Sequence, residues 1–201
     1  MSELSYQRTV LAYHGCDESV VTGTLLRGET LQSSANDYDW LGRGIYFWEH
    51  GPKRALEWAR WRARVFRNIR KPSVIGAYVN LGNCFDLLDI TYTQWLTTMF
   101  PIYVQTCAAS GISIPKNLPA RGESNKDLVL RYLDCAVLNW CLDMLEKEQG
   151  QHFHTVRCVF SEGQPVFEGS KIMARSHMQI AVRDVSAIVG FFKPNIDNLA
   201  E

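Results

Sequence analysis

Hydrophobic and polar positions follow two periods along this chain. Short runs rich in β-branched and aromatic residues predict strands at 8–13, 45–48, 73–81, 155–160, 176–184 and 187–192. The run 73–81 is apolar on both faces, which predicts a central strand. Gly82-Asn83 is expected to turn the chain after it, and tight turns between the last strands predict antiparallel neighbours. Helical spacing predicts helices at 17–26, 52–71, 91–109 and 126–148. Gly28 stops the first, Pro52 opens the second, and an acidic turn at 86–89 precedes the third. Polar, Gly- and Pro-rich stretches at 31–39, 112–124 and 161–174 read as loops.

Two helices show distinct faces. In 126–148, Leu128, Leu130, Leu133, Ala136, Val137, Trp140, Leu142 and Leu145 form an apolar side, and Cys135 and Cys141 read as small buried hydrophobes. In 52–71, Ala55, Trp58, Ala59, Trp61, Val65 and Phe66 oppose Lys53, Arg54, Arg60, Arg62, Arg64, Arg67, Arg70 and Lys71, with Glu57 as the lone acid. Such a run is ordinarily a solvated face; the functional alternative is a surface that meets phosphates of a dinucleotide or a nucleic acid.

The chain has 201 residues, 46% hydrophobic, enough for one substantial core and one domain over 1–201. Its formal net charge is zero, so the local basic excess makes a polarised surface, and global charge points to neither nucleic acid nor membrane. No apolar run approaches the roughly 18 residues that span a bilayer, and the first five residues lack a signal-peptide pattern. The cysteines at 16, 84, 107, 135, 141 and 158 form no Cys-x-x-Cys pair, so reduced thiols in a cytoplasmic protein and no metal site are expected. His152 and His154 have no carboxylate or cysteine cluster beside them in sequence to complete a metal site.

The candidate chemistry lies in Trp40-Leu41-Gly42-Arg43-Gly44-Ile45-Tyr46-Phe47-Trp48-Glu49. Two glycines allow a tight bend or a close ligand approach, and the aromatic strand and helix start that follow can set a ring and backbone groups against a flat ligand. A hairpin corner with core aromatics is the ordinary explanation. Tyr13-His14-Gly15 ends the first strand about thirty residues earlier, and Gln179 is a polar residue in a late apolar strand. This order resembles the ADP-ribosyltransferase superfamily, in the branch shared by diphtheria toxin and the poly(ADP-ribose) polymerases. The match covers about residues 8–60 closely and 155–194 more loosely. The helical stretch at about 85–150 then looks like an insertion.

The resemblance implies an α+β fold, a split and mostly antiparallel β-core with peripheral helices. It implies NAD as substrate, with His14 on a ribose hydroxyl and Gly15 presenting backbone groups to the nicotinamide amide. Tyr46 would stack on the nicotinamide ring after Gly44, and Trp58 is the candidate for closing the ring's other side. Each also has an ordinary reading, His14 as a satisfied core histidine and the aromatics as core. Where the family places a catalytic glutamate, this chain has Gln179, which keeps a hydrogen bond but supplies no charge. Three explanations stay open: ribose orientation by Gln179 in a mono-ADP-ribosyltransferase, charge from Glu168 or Glu162, or an inactivating change. The expected function is transfer of one ADP-ribose to a protein or nucleic acid. By analogy this suits a bacterial toxin or defence effector with a neutralising antitoxin partner. The rivals are an NAD glycohydrolase and a non-catalytic module for NAD, ADP-ribose or nucleic acid.

Overall fold

The computed structural model describes residues 5–119 and 128–196. In chain order these form β1 (Ser5–Asp17), α1 (Glu18–Arg27), β2 (Ile45–Glu49), α2 (Pro52–Val65), β3 (Pro72–Asp86), α3 (Ile90–Ala109), α4 (Tyr132–Gln149), β4 (Thr155–Phe160), β5 (His177–Val182) and β6 (Ile188–Phe192). The fold is α+β, with one mostly antiparallel sheet and helices at its periphery. Strand neighbours run β1-β2-β5-β4-β3, and β3 pairs again with β1, so five strands close into a ring. Only the β3–β4 contact is parallel. β6 adds to β3 outside this ring.

Alternation along the strands fills the inside of the ring. Val10, Ala12, Ile45, Phe47, Ile75, Ala77, Val79, Ile180 and Val182 share one cluster there. The outer face of β2, β5 and β4 packs under α4, with Leu138, Leu142 and Leu145 against Val156, Phe160 and Ala181. Helix α4 and the first turns of α3, through Tyr92, Trp95 and Leu96, thus share a core with the sheet. On β1 and β3 the outer face is covered by α2 through Ala55, Leu56 and Val74.

Local chemistry sets most boundaries. Asp17 caps α1 by accepting from Ser19 N at 2.9 Å, and Gly28 ends it in the left-handed region at φ 68°. Asp89 caps α3 in the same manner. β4 occupies the expected residues.

Four expectations are corrected. The second helix stops at Val65, because Arg67 turns left-handed at φ 55° and Asp17 Oδ2 takes the Arg70 and Lys71 N–H groups. The chain does not reverse at Gly82-Asn83; Gly82 bends at φ 57° and β3 runs on to Asp86. The fourth helix starts at Tyr132, since Leu130 instead bridges to Leu118, and Leu128 is exposed rather than core. The last two strands are not partners: β5 has β2 on one edge and β4 on the other, so β6 crosses to β3. The loop at 120–124 and the helix start at 126 lie outside the described residues.

Sequence patterning also gave no sign of a buried ion network. Arg157, in the middle of β4, holds Glu49 at 2.6 and 3.3 Å and Asp86 at 2.9 Å, all three buried. All six cysteines are free thiols. No helix among the described residues is long and apolar enough to cross a membrane.

Candidate active site

β1 and β2 pair only at Ala12–Glu49 and Tyr13–Trp48, then part. The His14 ring stands in the opening, with Nδ1 2.7 Å from the Tyr46 carbonyl. A carbonyl only accepts, so Nδ1 carries the hydrogen. Burial lowers the His14 pKa, with Arg62 adding to the effect against the Tyr46 hydrogen bond. The imidazole is therefore neutral, and Nε2 bears a lone pair that can accept from a hydroxyl.

Gly15 follows on β1. The Leu11 carbonyl accepts from His50 N at 3.0 Å, so residues 11, 13 and 15 turn their backbone groups toward the β2 edge. The ladder has ended before Gly15, which leaves its N–H and C=O facing the opening, one donor beside one acceptor. A primary amide has the complementary pair. Gly15 also packs so tightly on α2 that a Cβ would overlap the Ala55 carbonyl oxygen.

The bend before β2 is fixed by similar means. Gly42 is left-handed at φ 73°, and a Cβ on it would press on Asn139. Gly44 lies against β5, where a Cβ would sit 2.9 Å from the Val182 carbonyl. The Tyr46 hydroxyl donates to the Gly42 carbonyl at 2.6 Å and accepts from Leu41 N at 2.8 Å. Burial raises its pKa, so the phenol stays protonated. Tyr46 thus holds its own ring and the glycine bend in one arrangement.

Gln179 pairs with Trp48 across β2–β5, and Ala181 pairs with Tyr46. Tyr46, Trp48, His177 and Gln179 therefore share the outer face, while His14 stands beside Phe47, ring centroids 5.7 Å apart, on the inner one. The structure joins His14 to the others through the Tyr46 carbonyl and sets β1, β2 and β5 side by side.

Gln179 has a fixed partner. His177 Nδ1 is 2.7 Å from the Arg175 carbonyl, so this nitrogen too carries the hydrogen. Nε2 is then an acceptor, and Gln179 Nε2 lies 3.1 Å from it. The carboxamide must donate there, which leaves Gln179 Oε1 free to accept. Burial first, then Arg54, lowers the His177 pKa against the pull of the Arg175 hydrogen bond. Trp40, Trp48 and Phe160 surround the His177 ring at 6.0, 6.5 and 5.9 Å.

A carboxylate stands near this pair. Glu162 Oε2 is 3.8 Å from His177 Nδ1 and 2.9 Å from Arg54 Nη2. Glu168, on the same loop, is exposed. Trp58 lies on Trp48 at 5.7 Å and under the Arg62 guanidinium at 5.0 Å, not on Tyr46. Trp48 Nε1 is buried with no hydrogen-bond acceptor among the described residues. Sequence reasoning missed His177, Trp48 and Arg54; a strand period of two places His177 beside Gln179 and is the signal that could have found it.

Among the described residues no group of three or more His, Cys, Asp or Glu could hold a metal ion. His152 is instead within ion-pair distance of Glu146 at 2.9 Å and Asp184 at 3.4 Å. Neither a family model nor a curated protein matches this chain.

Proposed function

We propose that this chain is an NAD-dependent mono-ADP-ribosyltransferase acting on a macromolecule. The observation that carries this reading is the opening between β1 and β2. There a neutral His14 and the unpaired backbone edge of Gly15 lie side by side, His14 joined to the Tyr46 carbonyl while the Tyr46 ring is pinned on the outer face, next to the strand that bears Gln179. Gly15 N–H and C=O suit a carboxamide such as that of nicotinamide. His14 Nε2 and Gln179 Oε1 are uncharged acceptors suited to ribose hydroxyls. The roles assigned to Gly44 and Tyr46 are to close the bend and to support the nicotinamide ring.

The reaction would break the bond between nicotinamide and the ribose C1′, with the electron pair leaving on the nicotinamide nitrogen. An acceptor oxygen or nitrogen bonds to C1′ and gives up its proton. The transition state carries oxocarbenium charge, which hydrogen bonds from the ribose hydroxyls to Gln179 and His14 would help offset. Without a carboxylate on β5, that help is dipolar and not ionic. Glu162, held by Arg54, is the nearest group that could add charge.

The test is incubation with NAD labelled on the adenylate phosphate, alone and with separate protein, RNA and DNA pools, beside Tyr46→Ala. Label in one pool, lost in the variant, supports the transferase and gives the acceptor class. Nicotinamide release in every pool without label supports hydrolysis instead. No cleavage with any pool refutes the enzymatic reading.

A further inference from the structure

The second half of α2 and the turn after it carry cations that the site does not use. Arg60, Arg64, Arg67 and Arg70 are exposed, and no carboxylate is within ion-pair distance of any of them among the described residues. The helix's acid, Glu57, is held by Arg54 at 3.1 Å. Glu18 lies near Lys71 at the far end and offsets its charge, whereas of Arg70 and Lys71 Asp17 meets only the backbone N–H groups. Arg60 and Arg64 are one turn apart, about 6 Å along the axis.

Large apolar groups lie among these charges. Trp61 is 37% exposed, Val65 55% and Phe66 57%. Trp61 meets Phe66 edge-on at 5.4 Å, and the Arg62 guanidinium lies over Phe66 at 5.3 Å and over Trp58 at 5.0 Å. A face that served only to dissolve the helix would keep its charges and hide its rings. Arg67 adds a backbone cost at φ 55° to turn the chain here, and Asp17 fixes the next two N–H groups. Rings and unpaired cations are interleaved on this surface.

We infer that this surface binds single-stranded nucleic acid, bases stacking on Trp61 and Phe66 while Arg60, Arg64, Arg67 and Arg70 neutralise phosphates. An acidic protein would use the charges and draw little from the rings; an anionic membrane could use both, so binding to phosphatidylserine vesicles in preference to the oligonucleotides would overturn the inference. Binding at this surface does not depend on the transferase reading, and its test contains no NAD.

The experiment is fluorescence anisotropy with labelled 20-nucleotide RNA and single-stranded DNA of mixed sequence, and with duplex DNA, from 50 to 200 mM salt. With four phosphates neutralised, the slope of log affinity against log salt is about −2.8, so affinity falls about 50-fold over that range. Arg60→Ala/Arg64→Ala should halve the slope. Trp61→Ala should weaken binding about tenfold at fixed salt and leave the slope unchanged. Comparison of the RNA and DNA arms shows which sugar is preferred. Melting curves check that these exposed substitutions leave the fold intact. No binding at 50 mM salt, equal affinity for duplex, or affinity indifferent to both variants overturns the inference. Equal competition by polyglutamate together with an unaltered Trp61→Ala variant also overturns it, in favour of an acidic protein.

Discussion

Replacing Gln179 with glutamate should change the protonation of His177 before it changes anything else. In the native protein His177 Nε2 accepts from the carboxamide at 3.1 Å, and burial and Arg54 keep the imidazole neutral. A carboxylate in that place has no hydrogen to donate. It faces the Nε2 lone pair unless the imidazole takes a proton. At 3.1 Å the attraction between carboxylate and imidazolium is about 1.3 kcal/mol at the dielectric of water and about 5 kcal/mol at an effective 20. Either limit favours the imidazolium by about a factor of ten or more. The variant's His177 pKa should therefore lie above its native value.

The sign of the pH dependence follows. A histidine whose folded pKa is lowered binds its proton more readily when unfolded, so native stability falls as pH drops below about 6.5. His14 and His177 both act in this direction. If Gln179→Glu lifts the His177 pKa above the unfolded value, that residue's contribution reverses: present in acid, and lost as pH rises through the new pKa. The assay is a histidine-selective NMR titration from pH 4.5 to 8.5, with urea unfolding at each end of the range. An unshifted His177 resonance would refute the pairing, and with it the assignment of Gln179 Oε1 as the free acceptor.

Other substitutions probe the bend and the core. Tyr46→Phe leaves Leu41 N–H without its acceptor and should cost about 1–3 kcal/mol by urea unfolding; a negligible loss would mean that the phenol does not pin the bend. Gly42→Ala should cost about 1–2 kcal/mol for the left-handed backbone and more for contact with Asn139. Gly28→Ala, left-handed in open space, should show the backbone cost alone, so equal losses at the two sites in thermal melts would count against the Asn139 contact. Arg157→Met leaves Asp86 without its ion partner and Glu49 with only the longer Arg8 contact at 3.5 Å, and should cost about 3–5 kcal/mol; a Glu49→Gln background should reduce that loss measurably in a double-mutant cycle.

Local chemistry made much of this fold readable. The Asp17 and Gly28 caps delimit α1, and runs of aromatic and β-branched residues place β2 and β4. What failed had tertiary causes. Arg67, Arg70 and Lys71 are good helix formers, yet Asp17, some fifty residues earlier, draws the Arg70 and Lys71 N–H groups into a turn. Pro72 disfavours helix at Lys71 and was the local hint. The β5–β6 connection is short, which suggests a hairpin, but β5 has no free edge. Arg157 sits in a strand of otherwise β-favouring residues, and only the partners from β2 and β3 explain its burial.

At the candidate site, the motif strands were legible because glycines and aromatics there answer local demands. Gly42 needs φ 73°, Gly44 yields to β5, and Tyr46 reaches back to the bend. Each demand is structural, and none alone argues for a ligand. What these demands leave over favours one: Gly15 with its backbone edge beyond the ladder and His14 with a free Nε2. Gln179 is easily misread in isolation, as a glutamate that lost its charge. Its carboxamide donates to a histidine whose other nitrogen is committed to Arg175, in a pocket where burial and Arg54 resist protonation. A glutamate at 179 would need a charged partner that this surrounding disfavours. Glutamine and a neutral His177 are thus two halves of one hydrogen-bonded unit, and introducing a carboxylate at 179 tests that unit first.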